Sequence, residues 1–277
     1  MLNGAVVSCL KGIRSKQPWL VLTAAQKFSV AGSNNPAISH FYSFEKSPSA
    51  QATMAIPDGC IDILFDCDAS SPKAEVFGTP MVAIDIHLEC QHRYFGVRFA
   101  SSIIPNCLKL SAEELVEHQF SLQEVIPHTD QLFEAVVEEA DFAAQVASFQ
   151  QFFENKQARQ LSPLTQAIVR FTGERQGNVR IDELAELTGY STRTIQRQFR
   201  ADMGMSPKAF GRIIRCQSAV YIINHRNQVT FSDMAFELGF SDQPHFLKEF
   251  KKLVSATPMS YQHCVRQQTY LDRIQSF

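Results

Sequence analysis

The chain has 277 residues, 45% hydrophobic and 19% charged, with a formal net charge of −2; this is enough apolar material for packed cores, and it excludes a disordered or uniformly cationic chain. Seven cysteines, an odd number without a CxxC pair, argue against a disulfide framework and a thiolate zinc site. No apolar run approaches the roughly 18 residues of a membrane span, and the N-terminus lacks an apolar core of signal length, so a cytoplasmic, nucleoid-associated protein without a membrane partner is expected.

Length favours two domains, with residues 1–160 and 161–277 as the expected division. Charge divides at nearly the same place. Residues 1–162 carry 11 Lys+Arg and 18 Asp+Glu, a net of −7, whereas residues 163–277 carry 15 and 10, a net of +5. A basic C-terminal part facing a polyanion fits that asymmetry.

From Trp19 to Phe99 short apolar stretches alternate with turn residues. Trp19–Leu22, Ile38–Phe44, Ile61–Phe65 and Tyr94–Phe99 read as strands of an antiparallel sandwich or barrel. Period-two alternation places Ile61, Ile63 and Phe65 on one face, with Asp62 and Asp66 on the other. Phe95, Val97 and Phe99 likewise oppose Tyr94, Gly96 and Arg98.

Three sets here are weighed for chemistry. Asp58, Asp62, Asp66 and Asp68 have the carboxylates a hydrolase or a hard-cation site needs, but not the ordered spacing of a calcium loop. A Pro-Asp-Gly turn and a solvated strand face are expected instead. His87, Cys90 and His92 include metal-ligand types, with Cys90 and His92 on one strand face, but no second ligand cluster follows, so no metal and no cofactor are expected. Arg98 has two readings, an ion pair with an acid such as Asp62 or a site for an anionic effector; the ion pair is favoured.

After Pro105 the pattern becomes helical over about residues 111–155. Ser111 heads a capped helix, and Asp130–Glu154 reads as one amphipathic helix or as two broken near Asp141. Its apolar stripe can pack on the sheet or on a second copy of the chain. Residues 155–162 are polar and read as a linker.

The C-terminal part reads as all helical. Ser162-Pro163 starts a helix that Gly177-Asn178 stops. Asp182–Leu187 forms a short helix with Ile181, Leu184, Ala185 and Leu187 on its buried side. Gly189 turns the chain and Ser191 caps the next helix. There Ile195, Phe199 and Met203 face inward, leaving Thr192, Arg193, Gln196, Arg197 and Arg200 outside. Arginine matches the guanine edge and glutamine the adenine edge in the major groove. A similar unit recurs fifty residues on: Ala185, Gly189, Tyr190 and Ser191 correspond to Ala235, Gly239, Phe240 and Ser241. After one inserted residue, Ile195, Phe199 and Ser206-Pro207 correspond to Phe246, Phe250 and Thr257-Pro258. Gln243, His245, Leu247, Lys248, Lys251 and Lys252 are the outward set of the second unit. A helix from Ser206-Pro207 to about Asn224, packed through Phe210, Ile213, Ile214, Val220 and Tyr221, joins the units and can set them about one DNA turn apart.

These residues carry a resemblance. Leu184-Ala185, Gly189-Tyr190-Ser191, Ile195-Gln196-Arg197 and Phe199, with Met234-Ala235, Leu238 to Gln243, His245-Phe246, Phe250-Lys251-Lys252, Thr257-Pro258 and Tyr261, resemble the DNA-binding domain of the AraC/XylS family of bacterial transcription regulators. Pro57–Phe65 and Gly96–Phe99 look like the N-terminal part of a subgroup. The resemblance implies an α+β chain: a small cupin-like β barrel followed by helices, then an all-α domain with two helix-turn-helix units. It implies transcriptional control rather than catalysis, with Arg193, Gln196 and Arg197 reading bases in the first unit and Gln243, His245 and Lys248 in the second. Double-stranded DNA is the implied partner. RNA polymerase, a small-molecule or protein effector at the N-terminal domain and a homodimer mate are further candidates. Ser255 stands where the family has glycine, and Gln262 where arginine often follows Tyr261. The rival readings are a cupin-like metal enzyme, a DNA-repair relative lacking its cysteine-rich module, and a protein-interaction module.

Overall fold

The computed structural model describes residues 28–48, 53–226, 228–267 and 273–277; the Trp19–Leu22 strand expected from sequence lies outside them. The strands are β1 (Phe28–Gly32), β2 (Ile38–Glu45), β3 (Thr53–Ala55), β4 (Asp62–Asp66), β5 (Lys73–Phe77), β6 (Ile84–Ile86), β7 (Arg93–Phe99), β8 (Gln119–Ser121) and β9 (Ile274–Ser276). Seven of them form one sheet in the order β8-β5-β4-β7-β2-β1-β9, and β3 pairs with β6 separately. Among the described residues the large sheet is open, so the expected closed barrel is not found. All its pairings are antiparallel except β1 with β9.

The central strand β7 is buried along nearly its whole length, and the alternation read from sequence assigns its two faces. Phe95, Val97 and Phe99 join Ile61, Ile63, Phe65 and Phe41 in one apolar cluster. Four helices complete that cluster: α1 (Ala112–Leu115), α2 (Leu122–Val125), α3 (Asp130–Glu138) and α4 (Phe142–Phe153). A capping box joins Ser111 and Glu114 at the start of α1. Glu139 leaves helical backbone, and Asp141 accepts a hydrogen bond from the Ala144 amide, so the Asp130–Glu154 segment is two helices. Their stripe of Leu132, Val136, Phe149 and Phe153 packs on the sheet.

The other face is not solvated, which corrects the reading of the acidic set. The strand register sets Asp62 beside Arg98. Arg98 donates to Asp62 from Nε and Nη2, at 3.0 and 2.6 Å, and to Asp58 from Nη1 at 2.7 Å. Tyr42 donates to Asp62 at 3.0 Å. Its ring lies over Gly96, where any Cβ would sit 2.0 Å from ring carbon. Burial pushes the Asp62 carboxyl above the usual range, against the pull of Arg98. The anion-effector reading of Arg98 gives way to this ion pair.

Asp66 is buried and accepts from His92 Nδ1 at 2.9 Å, while Asp68 caps a turn at Ser70. Cys90 and His92 do not share a strand: the chain turns at Cys90 and Gln91, with Gln91 at φ 65°, and β7 begins after them. His87 is solvent-facing, with Glu89 at 3.7 Å. Among the described residues no three His, Cys, Asp or Glu side chains converge on a metal position.

The C-terminal half contains α5 (Pro163–Glu174), α6 (Ile181–Thr188), α7 (Thr192–Met203), α8 (Pro207–His225), α9 (Phe231–Glu237), α10 (Gln243–Val254) and α11 (Pro258–Gln267). The polar segment before α5 is held rather than loose. Asn106 and Gln157, and Arg159 and Ile104, share backbone hydrogen bonds, and the Arg159 guanidinium donates to the carbonyls of Leu108 and Leu110. Helix α8 reaches the sheet side, where Gln217 Nε2 donates to the Pro57 carbonyl at 2.6 Å. Phe28, Tyr42, Phe44, Leu64 and Tyr94 of the sheet share an apolar cluster with Ala219, Val220 and Ile223 of α8. Among the described residues no helix is long and apolar enough to cross a membrane.

Arg98→Ala leaves two carboxylates buried without their cation, so chemical denaturation should show a loss of about 3–5 kcal/mol. The His92–Asp66 hydrogen bond raises the imidazole pKa. Its contribution is therefore complete below the unfolded value of about 6.5 and is lost as pH rises through the higher folded value. Urea midpoints should fall over that window, and His92→Gln should remove the step; an unchanged pH profile in the variant would show that His92 is not its source.

Candidate nucleic-acid interface

The first unit is built by local chemistry. Gly189 ends α6 at φ 71°, a conformation that costs glycine nothing, and its amide closes onto the Ala185 carbonyl. Ser191 then accepts from the Thr194 amide and starts α7. Ile195, Phe199 and Met203 are buried with Leu184, Ile168, Val169 and Phe210. Thr192, Arg193, Gln196, Arg197 and Arg200 are all exposed on the opposite side. Leu187, expected inside, is half exposed. Gly204 ends α7 at φ 72°, and a Cβ there would lie 2.1 Å from the Ala112 carbonyl oxygen, so the end of α7 is seated on α1.

The second unit repeats this construction. Gly239 turns at φ 69°, Asp242 accepts from the His245 amide, and Pro244 occupies the first turn of α10 without costing a helical hydrogen bond. Phe246, Phe250, Leu253 and Val254 are buried. Gln243, His245, Lys248, Lys251 and Lys252 are exposed. His245 Nδ1 shares a 3.0 Å hydrogen bond with Ser241, and the ring meets Phe240 edge-on, which fixes the imidazole at the start of the helix. Leu247 departs from expectation, because it packs against the core instead of lying on the outer face.

Among the described residues the salt bridges of the helical half use other cations than those of these two faces. Arg212 pairs with Glu249 and Arg226 with Glu237, both at 2.7 Å, and Arg180 approaches Asp182. Among the described residues no salt bridge engages Arg193, Arg197, Arg200, Lys248 or Lys251. Their charge is uncompensated, which is what a phosphate or base-edge partner requires.

Helix α8 joins the units. Its 19 residues span about 28 Å. Ser206 accepts from the Ala209 amide, with Pro207 at the first helical position. Of the expected packed side, Phe210, Ile213, Ile214 and Val220 are buried, but Tyr221 is exposed and stacks on His225 at 4.2 Å. A cleft of about 630 Å³ lies between the units, with Lys208, Arg212 and Arg215 of α8 along one wall. Sequence reading missed it, although the i, i+4, i+7 spacing of those cations on a predicted helix was a usable signal.

Comparison with known proteins divides the chain in two. Residues 184–263 match a family described as a helix-turn-helix domain, and residues 35–121 match one described as a domain of unknown function (DUF6597). An uncharacterized HTH-type transcriptional regulator of Haemophilus influenzae is 32% identical over 102 residues, which is 37% of this chain and 34% of that protein. The HTH-type transcriptional activator RhaR of Escherichia coli strain K12 is 27% identical over 100 residues, 36% of this chain and 35% of RhaR. The matched stretch thus spans about a third of these relatives. Among solved structures, a probable AraC family transcriptional regulator from Rhodopseudomonas palustris aligns over 37% of this chain and 94% of its own, at 25% identity and a TM-score of 0.32. ToxT from Vibrio cholerae aligns over 82% of this chain and 98% of its own, at 10% identity and a TM-score of 0.42.

Ser255 ends α10 in the left-handed region at φ 58° and ψ 15°, which is costly for a residue with a Cβ. Ser255→Gly should raise stability by about 1 kcal/mol, read as a higher thermal midpoint; no rise would mean the turn relaxes without strain.

Proposed function

We propose that the chain is a sequence-specific DNA-binding regulator of transcription of the AraC/XylS type, on the basis of the match of residues 184–263 to a helix-turn-helix domain family. Residues 161–277 are the DNA-binding part, and residues 1–160, with their cupin-like sheet and helices, the sensor or assembly part. Helices α7 and α10 enter successive major grooves on one side of the duplex. Arg193, Gln196 and Arg197 read base edges in the first half-site, and Gln243, His245 and Lys248 in the second. Thr192, Arg200 and Lys251 stand beside them, where side chains meet phosphates.

One observation carries this reading. Two helices of one chain, each capped behind a left-handed glycine, expose equivalent faces whose cations have no salt-bridge partner among the described residues. A catalytic reading has no comparable support: its acidic candidates Asp58, Asp62 and Asp66 are occupied by Arg98 and His92.

A single chain with two readers needs no palindrome, so the operator is expected to be asymmetric. The seat of α7 on α1 and of α8 on the Pro57 carbonyl gives the N-terminal half two contacts through which an effector, small molecule or protein, can bias DNA binding. RNA polymerase and a second copy of the chain are the further partners of such a regulator, which acts in the cytoplasm.

Selection of bound duplexes from a random DNA pool, followed by titration of the selected site, tests the proposal. Enrichment of one asymmetric site with two segments about one helical turn apart is expected; recovery of no preferred sequence refutes it. Arg197→Ala should cost about 1–3 kcal/mol and relax preference at one position. Lys251→Ala should weaken all sequences alike and reduce the salt slope by about 1.

A further inference from the structure

The two reading units touch each other, and one side chain sits in the contact. Arg215, next to the midpoint of α8, turns its guanidinium across both. Its Nη2 donates to the Gly177 carbonyl at 3.1 Å and reaches Asn178 Oδ1 at 3.5 Å; its Nη1 reaches the Gly239 carbonyl at 3.5 Å. The guanidinium carbon lies 5.0 Å from the centre of the Phe240 ring, within cation–π range. Gly177 and Asn178 lead into α6 of the first unit, and Gly239 and Phe240 form the turn of the second. One planar fork therefore joins the approach to one reader with the turn of the other.

Close backbone approach supports the same junction. A Cβ on Gly239 would sit 2.0 Å from Asn178 Nδ2, so the first unit's loop rests directly on the second unit's turn. A Cβ on Gly177 would lie 2.2 Å from the Gly211 carbonyl oxygen and 2.5 Å from the Arg215 amide nitrogen, so the same loop is also pressed onto α8. The 2.7 Å pair of Arg212 with Glu249 ties α8 to the second recognition helix one turn away. Among the described residues Arg215 Nε is buried without a hydrogen-bond partner.

We propose that Arg215 is a positioning residue that fixes the distance and rotation between the two recognition helices, so that the protein measures the spacing between its two half-sites. This rests on the reading of α7 and α10 as DNA readers. One inserted base pair moves the second half-site by about 3.4 Å and turns it by about 34°. Two readers locked at one angle lose the second site under that change. Readers on a loose joint follow it, but have a lower effective concentration at the matched spacing. Lysine gathers its three donors on one nitrogen in place of the planar fork, so it cannot span the two turns together.

The test compares wild type, Arg215→Ala and Arg215→Lys on the selected operator, on operators with one base pair inserted or deleted between the half-sites, and on an isolated half-site. Wild type should lose at least about tenfold in affinity on the respaced operators. Both variants should bind the matched operator several-fold more weakly, keep wild-type affinity for the half-site, and show little difference between spacings. Variants that keep the wild-type spacing ratio overturn the proposal. Asn178→Ala, at an exposed position, serves in place of either variant that does not fold. A second measurement uses no DNA: spin labels carried by non-native residues at Glu186 and Met259 should give a narrow distance distribution in wild type and a broad one in Arg215→Ala. Equal widths overturn the positioning role. If wild-type protein selects no DNA sequence, the regulator reading fails, and the spin-label distances still decide whether Arg215 locks the two units.

Discussion

Helix α8 is buried around most of its circumference, and the rest of the molecule depends on that burial. Phe210, Ile213 and Ile214 complete the core of the first unit, while Cys216, Ala219, Val220, Ile222 and Ile223 belong to the core of the second. A fully buried aliphatic side chain contributes roughly 1.5–3 kcal/mol, whereas an exposed ion pair contributes about 0.2–1 kcal/mol. The shared helix therefore sets the axis on which both units sit, and polar contacts such as Arg212 with Glu249 adjust their orientation around it. The same helix also meets the sheet cluster and the Pro57 carbonyl, so the N-terminal half and the joint between the two units share one element.

Much of the C-terminal half was legible because its signals are local. Gly189, Ser191, Ser206-Pro207 and the four-residue spacing of Ile195, Phe199 and Met203 each state one requirement of a capped helix or a tight turn, and the fold meets them all. The errors sit at the edges of stripes. Periodicity finds the centre of an apolar face, but what lies across from its margin decides whether Leu187, Leu247 or Tyr221 is covered. The exposed cations of α7 and α10 were readable for the same reason the cores were: once the inward residues are fixed, the outward ones follow.

The N-terminal half was less legible because its decisive contacts join distant residues. Alternation correctly put Asp62 and Asp66 opposite Ile63 and Phe65. It could not say that the opposite face would be covered, since the cover comes from residues some 150 positions later. Closure of a sheet likewise depends on which distant edges meet. The buried Arg98 cluster is then informative in another way. A one-residue slip of β7 would move Arg98 onto the side lined by Phe95, Val97 and Phe99, so the ion pair opposes a wrong register more than it adds to stability.

Strand β9 follows the helical half in sequence yet lies on the outer edge of the N-terminal sheet, with Ile274 beside Phe28 and the Phe277 amide donating to the Val30 carbonyl. The Phe277 ring also meets Phe142 of α4. The two halves are thus stitched at both ends of the helical part. Cutting the chain at residues 155–162, between the sheet half and the helical half, would remove β9 from β1 and expose backbone amides and carbonyls there, an edge prone to pairing with its own copies. The dissected halves would then report on an artificial surface, and the partnership between them is best studied in the intact chain.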